Sequence, residues 1–176
     1  YLIISDINSN LILGTTNIAI TEKAEYPTVT KTVDDAQVYI GQIVTYTITI
    51  HFPEGSKVES YITDTMSSGL TYIDGSLSTN INDYNFLFGV DNEGNAINGW
   101  LITIPSETLK AFASNSGGAD LIISYQAMVN SKAIIGPTSP NTNSVRLDFS
   151  HFTTRDSVDI FSIEFSLLKY DAADDE

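Results

Sequence analysis

Apolar and polar residues alternate with a period of two along most of this chain, the repeat expected of strands with one buried face. In "AQVYIGQIVTYTITIHFP" (36–53), Val44, Tyr46, Ile48 and Ile50 fall on one face and Thr45, Thr47 and Thr49 on the other. Pro53 ends the run, because proline has no N–H to give to a ladder. One long strand is predicted there. Further strands are predicted in "SYITDTM" (60–66), "LTYIDG", "YNFLFGV" (84–90), "GWLITIP" (99–105), "ADLIISYQAMVN" (119–130), "NSVRLDFS" and "VDIFSIEFSLLKY". "DNEGN" (91–95) reads as a turn. Only "SETLKAFA" (106–113) reads as helix, with Ser106 as its cap and Leu109 and Phe112 three apart on one face. Short strands separated by turns about every ten residues, with at most one or two short helices, predict an all-β sandwich.

The first 25 residues are less regular. "YLIISDI" and "NIAITEK" suggest two strands with a polar turn between them, either extra strands on the main sheet or the end of a preceding domain. Residues 26–170 form the expected sandwich domain, and 171–176, within "DAADDE", an acidic tail leading to a following domain. "YLIISDINSN" has no basic leader and no small-residue cleavage site, so the chain reads as the interior of a longer protein.

Composition narrows the function. Apolar residues make up 42% of the 176 positions, enough for a sizeable core, and no apolar run is long enough to cross a bilayer. The net charge is −14, from 22 acidic and 8 basic residues. Such a surface repels phosphate backbones and acidic headgroups, so neither nucleic acid nor membrane is an expected partner; the charge implies a soluble monomer. The absence of cysteine excludes disulfides and thiolate metal sites. His51 and His151 stand alone, without ligand spacing, and no metal or cofactor is implied. No nucleophile elbow, zinc-protease motif or phosphate loop is present, so the chain is not expected to be an enzyme. Trp100 and the aromatics of "YNFLF" offer stacking surfaces for a sugar, but inward aromatics of strands are more often core.

Three polar residues break the pattern. Lys31 in "YPTVTKTV" (26–33) lies between Val29 and Val33, Asp64 between Ile62 and Met66, and Asn143 on the face of Val145, Leu147 and Phe149. Each alone is explained by an edge strand or a shift of parity. Together they allow a buried ion pair with an amide, a weak device for stability. They also allow chemistry. Desolvation disfavours both charged forms, leaving a neutral amine and a protonated carboxyl. The amine is then a nucleophile and the acid can polarise an amide carbonyl. Attack of Lys31 on Asn143 would release ammonia and join the two side chains, with no cofactor, because the fold holds the reactants in place.

In order along the chain, "PTVTKTV", "YIGQIVTYTITIHFP", "YITDTMSSGLTY" and "ISYQAMVNSKAIIGPTSPNTNSVRLDFS" resemble the fimbrial isopeptide-formation domain of Gram-positive major pilins and sortase-anchored adhesins. The resemblance runs from Glu25 to Lys169. It implies a CnaA-like variant of the immunoglobulin-like sandwich. It also implies a cross-link between Lys31 and Asn143 with Asp64 as the acid; Asn141, of the same parity, is the alternative to Asn143. The loop "FSHF" departs from the family's usual "YSNNP". "EYPTVTK" gives no polymerisation lysine, and Lys169 resembles the cross-linking lysine of a following domain. The function implied is a structural module of a pilus shaft or surface stalk, extracellular and wall-anchored. Its partners would be neighbouring domains and, through sortase, other pilin subunits. The alternative is an adhesin domain gripping a host protein or glycan through its loops.

Overall fold

A computed structural model describes residues 2–5, 12–16 and 25–164. β1 (Leu2–Ser5) and β2 (Ile12–Thr16) form an antiparallel two-stranded sheet of their own. The second strand thus falls earlier than "NIAITEK", which lies outside the described residues, as do Lys169 and the acidic tail.

The remaining strands are β3 (Thr28–Val33), β4 (Gln37–Val38), β5 (Ile43–Phe52), β6 (Ser60–Met66), β7 (Leu70–Tyr72), β8 (Ser78–Thr79), β9 (Asn85–Val90), β10 (Ala96–Ile104), β11 (Ala119–Val129), β12 (Asn141–Phe149) and β13 (Phe152–Ser162). They build two sheets. One runs β4-β13-β12-β6-β10-β9, the other β3-β5-β11-β7 with β8 beside β11. The inner faces supply one continuous core that includes Tyr46, Ile48, Ile62, Trp100, Ile123 and Leu147. This is the β-sandwich that the alternation predicts, of the immunoglobulin-like kind that the resemblance implies, with burial alternating residue by residue along β5, β11 and β12.

Three boundaries differ from the sequence reading. The long strand expected over 36–53 is broken, because residues 39–42 turn, with the Gln42 N–H donating to the Tyr39 carbonyl (3.0 Å) and Gly41 at φ 93°. The short piece before the turn pairs in parallel with β13, and the long piece pairs in the other sheet, so the chain changes sheets there. α1 (Ser106–Phe112) lies where the helix is expected, but Ser106 is its first residue; Pro105 occupies the cap position and no side chain caps the helix. Finally, β13 starts at Phe152, ahead of the expected "VDIF". Its polar opening, "TTRDS", pairs with β12 throughout: Arg155 lies opposite Arg146 and Thr153 opposite Asp148.

One close approach fixes where the site strands sit. Gly99 in β10 lies opposite Thr65 in β6, and a Cβ on it would stand 1.8 Å from the Asp64 carbonyl oxygen. The backbone itself would have to move, so Gly99→Ala should destabilise the domain by about 1–3 kcal/mol, the usual cost of overpacking. Urea unfolding would measure it; an unchanged midpoint would mean the two strands are free to separate.

Candidate functional site

Lys31, Asp64 and Asn143 come from three strands and two sheets, and the sandwich brings them into one pocket. β3 is an edge strand of the five-stranded sheet, with Lys31 opposite Ile48 of β5. Its outer edge is tied to the other sheet, because the Lys31 backbone N–H donates to the Asp156 carboxylate of β13 (2.6 Å). Asp64 on β6 and Asn143 on β12 are on adjacent strands and diagonal to one another: Asp64 lies opposite Val145, and Asn143 opposite Met66. Asp64 and Asn143 have no exposed surface, and Lys31 has 5%.

The Lys31 Nζ donates to the Asp64 carboxylate and to the Tyr125 hydroxyl, the latter at 2.9 Å. Tyr125 donates to the second Asp64 oxygen (2.9 Å), and the Asn143 amide nitrogen donates to Tyr125 (2.6 Å). The Tyr125 hydroxyl is therefore the hub: it touches all three residues and uses its one donor and both acceptor positions. Among the described residues, neither the Asn143 carbonyl oxygen nor the Tyr46 hydroxyl of the same pocket has a hydrogen-bond partner. Around this network the walls are aromatic. Lys31 Nζ lies 5.2 Å from the ring centres of both Tyr46 and Tyr125, which stack on one another at 5.5 Å, and Trp100 meets Tyr125 edge-on at 5.3 Å.

This setting decides the charge states. Burial pushes the Lys31 amine below its ordinary range, against the opposing pull of Asp64 and Asp156. Burial pushes the Asp64 carboxyl up, against Lys31 and Tyr125. The two partners attract as ions, yet both shifts run toward the neutral forms. Desolvation dominates, as expected where a single pair sits in an apolar pocket. Burial also raises both tyrosines, so each keeps its hydroxyl proton.

Asn141 shares the parity of Asn143 and is equally buried, but it is used elsewhere. Its side chain accepts from the Ile134 N–H (2.9 Å) and donates to the Ile134 carbonyl (3.0 Å), pinning the loop before β12. Tyr125 is the residue that the sequence reading did not single out. Its only signal is a tyrosine at an inward position of β11, between Ile123 and Ala127, where a buried hydroxyl requires a partner.

The other candidates lie apart. His51 pairs with Asp120 on the surface (2.7 Å) and His151 is exposed. Asp91 folds the "DNEGN" turn by accepting the N–H groups of Glu93 and Asn95. Trp100 is core. Among the described residues no cluster of His, Asp or Glu has the makings of a metal site.

The fold defines a class of proteins before any individual one. Among solved structures, the pilus backbone protein RrgB of Streptococcus pneumoniae is similar at TM-score 0.59 and 18% identity, over 71% of this chain and 31% of that one. The major pilin BcpA of Bacillus cereus is similar at TM-score 0.55 and 15% identity, over 78% and 41%. The major pilin SpaD of Corynebacterium diphtheriae follows at TM-score 0.51 and 19%, over 74% and 34%. At these identities the likeness is one of fold. In sequence, the chain is 29% identical over 174 residues to the trypsin-resistant surface T6 protein of Streptococcus pyogenes serotype M6. That match takes in 85% of this chain and 30% of the T6 protein, so the chain spans under a third of its relative's length. By name these are a pilus backbone protein, two major pilins and a surface protein. No protein-family model matches the chain.

The depressed lysine gives a signed pH prediction. Unfolded Lys31 takes up a proton below about 10.5, whereas the folded form does so only below its lowered value. Between the two, the unfolded state binds more protons, so stability rises with pH. Asp64→Asn removes the counter-charge and isolates this effect. Its urea midpoint should climb as pH rises from the lowered Lys31 value toward about 10, with a slope of at most about 1.4 kcal/mol per pH unit. The double variant Asp64→Asn/Lys31→Met should stay flat over that range. Parallel profiles for the two variants would mean that Lys31 remains protonated in the core.

Proposed function

We propose that this chain is a structural module of a Gram-positive pilus shaft or surface stalk, a CnaA-like domain stapled by its own Lys31–Asn143 isopeptide bond. The observation that carries this reading is the dry pocket in which a neutral-leaning amine, a neutral-leaning carboxyl and an amide share one tyrosine hydroxyl. Lys31 acts as the nucleophile on the Asn143 side-chain carbonyl carbon, Asp64 manages the protons, and ammonia leaves. Proximity removes the need for a cofactor. The likeness to pilin folds and to a surface protein described as trypsin-resistant supports the setting.

On this reading residues 26–170 are the isopeptide domain, 1–25 strands of a preceding domain or additions to this one, and 171–176 the lead into another. The parent protein is extracellular and anchored to the wall. Its partners are its own neighbouring domains and other pilin subunits joined by sortase. Of the aromatics that the adhesin alternative would use, Trp100 is fully buried and Phe88 of "YNFLF" is exposed.

The bond is tested by mass. The purified protein should weigh one ammonia less than its sequence, and a tryptic digest should yield a branched peptide joining the Lys31 and Asn143 segments. Lys31→Ala and Asn143→Ala should each restore the full mass. Asp64→Ala should fold but remain unlinked. Wild-type protein at full sequence mass would end the proposal.

The two asparagines should separate cleanly. Asn141→Ala should keep the bond while loosening the loop before β12, measured as faster amide exchange at Ile134, whose N–H loses its acceptor. A bond lost in Asn141→Ala and kept in Asn143→Ala would move the site. The bond closes the 112 positions between Lys31 and Asn143. Asn143→Ala should therefore lose about 4–5 kcal/mol if the staple acts by restricting the unfolded chain.

A further inference from the structure

Resting on the isopeptide reading above, we propose that the Tyr125 hydroxyl is a catalytic residue of the bond-forming reaction, carrying the proton that releases the Asn143 nitrogen as ammonia. Asp64 has no hydrogen bond to Asn143; its contacts are Lys31 and Tyr125. Among the described residues, Tyr125 is the side chain that hydrogen-bonds both the Asn143 nitrogen, at 2.6 Å, and Asp64. A proton passing from Asp64 to the leaving group along the hydrogen bonds of this site must go through the phenol.

The direction of that contact has to reverse during the reaction, and amide chemistry supplies the reversal. In the resting amide the nitrogen lone pair is delocalised into the carbonyl, so the nitrogen can only donate. When the Lys31 amine adds to the Asn143 carbonyl carbon, the new C–N bond forms and the carbonyl π pair moves onto oxygen. The nitrogen becomes tetrahedral, its lone pair localises, and it turns into an acceptor facing the phenol. Three transfers then close the balance. Nζ gives a proton to one Asp64 oxygen. The other Asp64 oxygen gives its proton to the Tyr125 oxygen. The Tyr125 proton goes to the departing nitrogen. The oxygen pair re-forms the carbonyl as the old C–N bond breaks and ammonia leaves. Tyr125 ends as it began, and Asp64 ends neutral with its proton shifted from the oxygen facing Tyr125 to the one facing Lys31; the Tyr125–Asp64 contact reverses during the transfer as the Asn143 contact does, and one proton has moved from Nζ to the leaving group. The carboxyl can serve both sides because its two oxygens already face different partners, Lys31 and Tyr125.

The site suits this role in two further ways. Tyr125 is buried, and the raised affinity of its hydroxyl for the proton keeps it a phenol that has a proton to give. Its ring is held by Tyr46 on one side and Trp100 on the other, so the hydroxyl is aimed by packing rather than by the reactants.

The test follows bond formation in the full chain, synthesised in a cell-free extract and sampled by intact mass. Tyr125→Phe should slow the loss of ammonia by about a hundredfold or more, within the usual range for a positioned general acid. Replacing Tyr125 with 3-fluorotyrosine keeps the hydroxyl and should restore the rate to within about tenfold of wild type. In an Asn143→Ala background, which cannot link, Tyr125→Phe should leave the fold and melting temperature nearly unchanged. A Tyr125→Phe chain that links as fast as wild type would overturn the role of Tyr125 and leave the Lys31–Asn143 bond standing. So would a slow rate accompanied by a large loss of stability in the unlinkable background, because the hydroxyl would then be structural. A wild-type chain that never loses ammonia would overturn the isopeptide reading itself.

Discussion

The constraint on which this site depends is the exclusion of water from an amine and a carboxyl. Taking both as ions into an apolar interior costs several kcal/mol per charge after relaxation, and their attraction repays it only with good geometry and further hydrogen bonds. Burial shifts Lys31 and Asp64 toward their neutral forms, which lowers that cost. The rest of the architecture maintains the dryness that makes the neutral forms favourable. Tyr46 and Tyr125 cover one side, Trp100 closes another, and the two sheets bring Ile48 and Val145 up against the strands that carry the reactive groups. The same burial that makes Lys31 a poor stabiliser shifts it toward the neutral amine that the proposed reaction requires.

The topology gives that chemistry a mechanical meaning. β3 opens the sandwich and sits at the edge of one sheet, and β12 and β13 close it in the other. β3 has six paired residues with β5, and a pull on the chain ahead of it would load that ladder first. Backbone hydrogen bonds contribute about 1 kcal/mol each and fail in sequence when loaded one by one. A covalent link from β3 to β12 would carry the load across the sandwich into a strand held on both sides, by β13 and β6. The contact between the Lys31 N–H and Asp156 follows the same route in non-covalent form.

How much of this is legible in the sequence depends on whether the information is local. Parity is local, so the inward placement of Lys31, Asp64 and Asn143 follows from their neighbours at i±2. Which inward residues meet across the gap is not local. Tyr125 looks like any aromatic in the apolar run of β11 until the facing sheet is in place and its hydroxyl is seen between three polar groups. The break at residues 39–42 is only partly legible: Gly41 and Gln42 interrupt the alternation, but only the pairing of β4 with β13 shows that the chain has changed sheets. The opening of β13 is missed because threonine and charged residues lie on its solvent side, while its ladder with β12 is complete.

The two asparagines show what separates a structural polar residue from a reactive one when burial and parity are the same. Asn141 faces a loop whose Ile134 presents an N–H and a carbonyl, and its amide satisfies both. Both ends of the amide are engaged by one backbone residue, and Asn141 acts as a clasp. Asn143 faces side chains instead. Its nitrogen is held by Tyr125, while its carbonyl oxygen is buried without a partner among the described residues. An unpaired buried acceptor costs about 1–3 kcal/mol, and a well-packed core does not keep one without cause. The cause offered here is that the carbonyl cannot be tied down at both ends and still be open to the Lys31 amine. Satisfying Asn143 as fully as Asn141 would stabilise the resting amide and raise the barrier to attack. The two asparagines differ in their partners: the Ile134 backbone holds Asn141 at both ends of its amide, whereas Asn143 is held through its nitrogen by Tyr125, which is the arrangement the proposed reaction needs.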